Sequence, residues 1–309
     1  RHIQCFCLLN NVNRNTKRIA SFMKQEQRYR ATMTFKRIDR FVRREFGYME
    51  GVKESWKQQG LTAEIEKEFN YDERIDHSRM GDLGWCEPPF YPPYVEEVLE
   101  DLGAYEIKRD IAGRQVKYFK GRTHGFMPTY LQHAVKSRSD WEYDVKPRLN
   151  PETPERISEY DQQIERVVQD AKESGKWVTQ GIIGQYMYLR ALFGSEDVMY
   201  VFYDDPELIH DILKTWMELN DAMIQRLQNK IEIDELFYAE DICYNHGLLI
   251  SPDMWREFLK PYYLELYKRA QARQEKRIYT QIDTDGFVEQ AIPLYLEIGM
   301  DIMSPFEAC

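Results

Sequence analysis

Cysteine is scarce, long apolar runs are missing, and positive charge is in deficit along this 309-residue chain. The five cysteines stand at 5, 7, 86, 243 and 309, odd in number and without metal-knuckle or redox spacing beyond Cys5-Phe6-Cys7. That pattern excludes a disulfide framework and makes a reducing cytoplasm the expected compartment. No apolar run approaches the ~18–20 residues that cross a bilayer, and no small-residue cleavage site follows Ile3–Leu9, so neither a membrane role nor secretion is indicated. A formal net charge of −10 argues against a nucleic-acid partner. Neither standard Gly-rich phosphate loop occurs, nor a GxSxG elbow, which removes kinases, the usual dinucleotide dehydrogenases and α/β-hydrolases. The pair in Gly181-Ile182-Ile183-Gly184 is too loose to count. His124, His133, His210 and His246 show no HxH, HxxxH or HExxH spacing and read as structural, with His246 kept because it follows an acidic pair.

What is present is enough apolar and aromatic content, 43% and 14%, to bury a large core. The charge is unevenly placed: residues 1–44 carry a net of +10 and residues 45–309 a net of −20. The basic stretch 1–24 reads as a frayed leader in front of a helix, and Arg1 is not expected to be a native start. Further on, β-rich runs at Trp177–Ile183, Ile233–Ala239, Arg277–Ile282 and Asp301–Pro305 alternate with amphipathic stretches, the pattern of βα units around a parallel sheet. Helices are predicted from about Pro154 to Ser174, closed by Gly175, from Asp205-Pro206 to about Asn229, and from Ser251-Pro252-Asp253 to about Gln274, with another at Phe287–Ile298. In the first half, Trp85 to Pro93 forms a Pro/aromatic loop that reads either as a lid over a site or as a packed surface loop. Ala104 to Phe119 reads as a short antiparallel meander turning at Ala112-Gly113.

Reactive residues in parallel α/β folds sit at the carboxyl ends of strands, where the loops converge. Here those ends deliver Glu240-Asp241, Asp283-Thr284-Asp285-Gly286 and Glu307. Each acidic residue alone reads as a cap or turn, but five at three neighbouring strand ends repel one another. They call for a bound cation, a cationic partner or a proton held by a raised pKa.

The stretch from Tyr238-Ala239-Glu240-Asp241 through Asn245-His246-Gly247 to Pro261-Tyr262-Tyr263 resembles a hallmark of the uroporphyrinogen decarboxylase superfamily. So, in order, do Phe126-Met127-Pro128, Val135-Lys136-Ser137-Arg138, Tyr203-Asp204-Asp205-Pro206-Glu207, Asp283-Thr284-Asp285-Gly286, and Ile298-Gly299-Met300-Asp301 through Glu307. The resemblance covers about residues 25–309 and implies a single (β/α)8 TIM barrel. Family members continue with further βα units, so the barrel is expected to be incomplete at its carboxyl end. The family includes the decarboxylase of haem biosynthesis and methyltransferases that move a methyl group between a corrinoid and a thiol.

Three departures narrow what the resemblance implies. The methyltransferases hold zinc with a His-x-Cys pair where this chain has Asp283-Thr284-Asp285, hard donors that suit a harder divalent ion or a cationic substrate. The decarboxylases clamp propionates with an arginine-rich segment; here Arg44-Glu45 stands alone. Their tyrosine in the loop after the glycine pair has Ala191 or Leu192 near its place. An acidic rim without that clamp would repel a substrate of eight carboxylates by about 1–4 kcal/mol per close pair. The expectation is therefore corrinoid-linked methyl transfer on a small substrate, with a corrinoid protein as possible partner. Uroporphyrinogen decarboxylation and a non-catalytic ligand-binding subunit are the alternatives. Asp283 and Asp285 would bind metal or substrate, Glu240 and Asp241 would orient them or act as acid and base, and Tyr186, Arg190, Tyr244, His246 and Glu307 would line the pocket.

Overall fold

The computed structural model describes residues 23–45, 50–77, 89–120 and 128–306. The leader therefore lies almost wholly outside the described residues, as do Trp85 to Pro88 of the Pro/aromatic loop and Glu307. Three helices come first, α1 (Gln25–Met33), α2 (Glu50–Gln58) and α3 (Ala63–Glu68), followed by strand β1 (Arg74–His77). Next comes an antiparallel sheet, β2 (Glu97–Leu102), β3 (Tyr105–Arg109), β4 (Gln115–Phe119) and β5 (Thr129–Gln132), in sequence order. The short α4 (Arg138–Asp140) runs through single π and 3₁₀ turns to α5 (Pro154–Ser174). Strand β6 (Trp177–Ile183) leads to α6 (Gln185–Phe193), α7 (Asp197–Asp204) and α8 (Pro206–Gln228). Strand β7 (Glu235–Ala239) is followed by the two-residue strands β8 (Cys243–Tyr244) and β9 (Gly247–Leu248), then α9 (Pro252–Met254) and, after a π turn, α10 (Lys260–Ala272). The last described elements are β10 (Tyr279–Asp283), α11 (Ala291–Glu297) and β11 (Ile302–Ser304).

Strands β1, β6, β7, β10 and β11 form one parallel sheet in that order. This is an α/β fold whose strands follow the chain, as in a barrel wall. Among the described residues it holds five parallel strands rather than eight. Between β1 and β6 the described residues form the separate antiparallel sheet. The meander expected at 104–119 is real but larger, with β2 and β5 added at its flanks. Its central turn is organised by Asp110, whose Oδ1 accepts from the N–H groups of Ala112 and Arg114 while Gly113 takes a φ of 78°.

The helix starts follow their caps. Asp205 accepts from the Leu208 N–H and Ser251 from the Met254 N–H, each with proline at the first helical position. Gly175 closes α5 in the left-handed region. The strand expected at Trp177–Ile183 forms over those same residues. The other three start one or two residues later than expected, and ahead of β7 and β11 aspartate side chains stand in for backbone. Asp234 Oδ2 accepts from the Val178 N–H and Asp301 Oδ2 from the Thr280 N–H, so the ladders begin after them. The helix expected at Phe287–Ile298 is shorter, since Phe287 donates its N–H to the Tyr244 carbonyl and the chain turns before Ala291.

The outer face of the sheet packs on α5, α6, α8 and α10, with Trp216 fully buried and its indole N–H on the Ile183 carbonyl. Helix α1 closes the amino-terminal end of the sheet: the Tyr29 ring stacks on Trp177 at 4.8 Å and meets Tyr279 edge-on at 5.7 Å. The described part of the Pro/aromatic loop packs down at its aromatic residues, while Pro92 and Pro93 are exposed. Phe90 and Tyr91 are buried, and the Tyr91 N–H donates to the Arg148 carbonyl. No helix among the described residues is long and apolar enough to cross a membrane.

Candidate functional site

Strand alternation puts Glu235, Phe237 and Ala239 of β7 on one face with Gln281 and Asp283 of β10 and Ser304 of β11, since Gln281 is registered with Phe237 and Asp283 with Ala239 and Ser304. This face carries polar residues from bottom to top. Arg44 and Arg74 both reach the buried Glu235 Oε1, at 3.2 and 3.0 Å, and both guanidinium groups lie over the Phe237 ring. Arg44 also donates to Gln281 Oε1 at 2.6 Å, Gln281 Nε2 donates to the Ser304 hydroxyl at 2.8 Å, and that hydroxyl donates to Asp283 Oδ1 at 3.3 Å. A polar chain thus runs from Glu235 to the carboxyl end of β10.

Asp283 ends that chain partly buried. Burial, reinforced by the neighbouring carboxylate of Asp285, pushes its carboxyl up to about 6, against the opposing pull of Ser304, Arg44 and Arg74. Asp285 itself is exposed. The structure therefore brings together the two aspartates the sequence singled out, and burial moves the titration of one of them up to about 6.

Glu240 is placed quite differently. It is 4% exposed, and its carboxylate is surrounded by four donors. Oε1 accepts from the N–H groups of Met187 at 2.7 Å and Asp241 at 3.2 Å; Oε2 accepts from the Tyr186 N–H at 3.2 Å and the Tyr263 hydroxyl at 2.7 Å. Helix α6 has glycine as N-cap and no side-chain cap of its own, so Glu240 caps it from the adjacent strand. Gly184 makes the approach possible: a Cβ there would sit 2.6 Å from the Glu240 carboxyl carbon. Burial raises the Glu240 pKa, opposed by its four donors. The carboxylate faces inward and holds the loops rather than standing open on the rim.

Asp241 pairs with Arg190 at 2.8 Å, both partly exposed. They lie in a cleft of about 710 Å³ whose other walls include Arg114, Tyr130, His133 and Phe193. Tyr186 is buried; its hydroxyl lies on the Met199 sulfur at 3.5 Å, and burial pushes it up to about 12. Tyr244 and His246 meet edge to face at 5.8 Å, exposed at the β8–β9 hairpin. Glu307 falls outside the described residues. Sequence reasoning missed Arg74, Gln281 and Ser304, which lie within or beside strands rather than after them, and Tyr263, whose partner is 23 residues away. Strand alternation counted back from Asp283 would have found Gln281.

The divalent metal that the resemblance implies finds no complete donor set, because among the described residues no three His, Cys, Asp or Glu side chains converge. Cys243, the soft donor nearest in sequence to the rim, is buried and its thiol pushed up to about 11, the reverse of a metal-ready thiolate.

No family model matches the chain and no curated protein does. Among solved structures, a methyltransferase from Methanosarcina mazei is similar in fold, with a TM-score of 0.55 at 14% identity over 92% of this chain and 76% of that one. A xylanase B from Clostridium stercorarium F9 reaches a TM-score of 0.27 at 15% identity over 44% of this chain and 41% of that one, too low to argue from. At 14% identity the first likeness speaks to fold: an α/β chain whose parallel sheet and flanking helices match those of a methyltransferase.

Proposed function

We propose that residues 25–309 form one barrel domain of the uroporphyrinogen decarboxylase type. In this reading the chain is a methyltransferase-like enzyme that works on a small substrate at the carboxyl-end rim of the sheet. The observation that carries the proposal is Asp283: a partly buried carboxyl at the end of β10, beside Asp285, with its pKa raised to about 6. Such a group exchanges a proton readily at neutral pH, as acid–base chemistry requires. The fold likeness to a methyltransferase supports the choice of reaction. In the step envisaged, a thiol co-substrate gives its proton to Asp283 as its sulfur bonds to the methyl carbon. The bond to the methyl donor, a corrinoid carried by a partner or free in solution, breaks with its electron pair leaving on the donor. No step uses a metal, for which the described donors are incomplete.

The decarboxylase alternative asks for arginines open to several carboxylates. Arg44 and Arg74 instead share Glu235. The test is to mix the protein with methylcobalamin and a panel of thiols and follow the cobalamin spectrum. We expect demethylation that Asp283→Asn abolishes. A spectrum unchanged by every thiol would overturn the proposal, and full activity in the Asp283→Asn, Asp285→Asn double variant would mean that the rim is not catalytic.

A further inference from the structure

The cleft that holds Arg190 and Asp241 lies between the antiparallel sheet and the α6–α7 turn, and three of its features constrain what it can hold. The first is His133. Its Nδ1 lies 3.2 Å from the Ala191 carbonyl, an acceptor only, so Nδ1 carries the proton and the neutral ring presents Nε2 as an acceptor. Burial, with the Arg114 guanidinium beside it, lowers its pKa and keeps the ring neutral, although the Ala191 carbonyl and the carboxylates of Asp110 and Asp197 pull the other way. The second is Gly194 on the same wall, where a Cβ would lie 2.7 Å from the imidazole Cδ2 and 2.9 Å from Nε2. Its bare backbone, at a φ of 95°, leaves room for that edge of the ring.

The third feature is charge. Both guanidinium groups of the cleft have carboxylate partners, Arg114 with Asp110 at 2.7 Å and Arg190 with Asp241 at 2.8 Å. At the mouth, Glu196 and Asp197 are exposed and form no ion pair among the described residues. Glu196 and Asp197 open helix α7, whose N-terminus offsets part of their charge. With the ion pairs set aside, the described walls of a cavity of about 710 Å³ hold these two carboxylates, a neutral hydrogen-bond acceptor and the buried Phe193 side chain. That set repels anions and offers a cation both charge and a directed acceptor.

We infer that this cleft binds a small organic ammonium ion with at least one N–H, its charge facing Glu196 and Asp197 and its N–H donated to His133 Nε2. The inference rests on the reading of this rim as a small-molecule site and concerns the cleft beside Arg190 and Asp241, whose walls do not include Asp283. Three probes of similar bulk separate charge from donor: propylammonium, tetramethylammonium and propionate, titrated calorimetrically into the full chain. Propylammonium binds; tetramethylammonium, lacking the N–H, binds about tenfold more weakly; propionate does not bind. His133→Asn, whose side-chain amide can still donate to Ala191, removes the preference between the two cations. Glu196→Gln with Asp197→Asn, both at exposed positions, weakens both cations about tenfold. Binding of propionate as tight as that of propylammonium, no binding of propylammonium, or unchanged cation binding in the Glu196/Asp197 variant overturns the inference. Demethylation of methylcobalamin is read separately: Asp283-dependent transfer without ammonium binding sinks the cleft assignment alone, and ammonium binding without transfer sinks only the proposed reaction.

Discussion

Replacing Asp283 with asparagine should stabilise the protein while removing its activity. Asparagine keeps the shape and leaves an Oδ1 to accept from Ser304, but it cannot ionise. An aspartate's ordinary pKa lies near 4, and Asp283 stands at about 6 because burial and Asp285 disfavour its charge. The folded protein thus holds this proton to higher pH than the unfolded chain does. Its contribution favours folding below pH ~4 and is lost progressively as the pH climbs through about 6. At pH 8 the full loss would be ~3 kcal/mol, and since Asp283 is partly open to solvent, about 1–2 kcal/mol is the realistic share. Urea unfolding of both proteins at pH 4.5 and pH 8 measures it. The variant's advantage should be small at the lower pH and reach ~1–2 kcal/mol at the higher. An Asp283→Asn protein that is no better off at pH 8 than at pH 4.5 would mean that the ionised carboxylate is satisfied where it stands, and the case for a proton-holding group at the end of β10 would fail.

Two other carboxylates should behave in the opposite sense. Glu240→Gln retains one acceptor oxygen and can turn its amide toward the Tyr263 hydroxyl. It leaves the Tyr186 N–H unmatched and should cost about 1–3 kcal/mol, whereas Glu240→Ala strips all four donors and should cost about 3–5 kcal/mol; thermal unfolding of the pair separates them. Asp72 accepts from Arg28 at 2.5 Å, from Arg40 at 2.6 Å and from the Arg43 N–H at 3.0 Å, tying α1 to the chain before β1. Asp72→Ala should lose about 3 kcal/mol or more by leaving the buried Arg28 with one carboxylate, Asp39, beside the Met23 carbonyl, seen as a lower urea midpoint with the rim chemistry unchanged.

How much of this was legible in the sequence depended on whether the signal was local. Periodicity and caps are local, so α5, α8, β6 and the order of the parallel strands could be read directly. The antiparallel sheet between β1 and β6 could be read only in its middle, at the Asp110–Arg114 turn. The turn from β2 to β3 has a similar signal in Asp101 and Gly103, but β2 is exposed throughout, without the apolar alternation that marks a strand. The aspartates at 283 and 285 could be placed because a strand's end fixes where its next residues go. The fate of Glu240 could not, because it depends on Tyr263, on Gly184 and on a helix end contributed by a neighbouring unit.

The rim carboxylates share a residue type and a strand-end position, yet the number of donors each meets divides their roles. Glu240 meets four, so a change in its protonation would break contacts that hold α6, β7 and α10 in place. Its chemistry is fixed by the architecture it supports. Asp241 meets one guanidinium, which neutralises it and fixes it at the cleft wall. Asp283 meets a single hydroxyl at 3.3 Å and a like charge nearby, so it gains or loses a proton with little rearrangement around it. A group that reacts must change charge without dismantling its surroundings. By that criterion we propose Asp283 as the reactive carboxylate of this rim, while Glu240, the more buried of the two, holds it in shape.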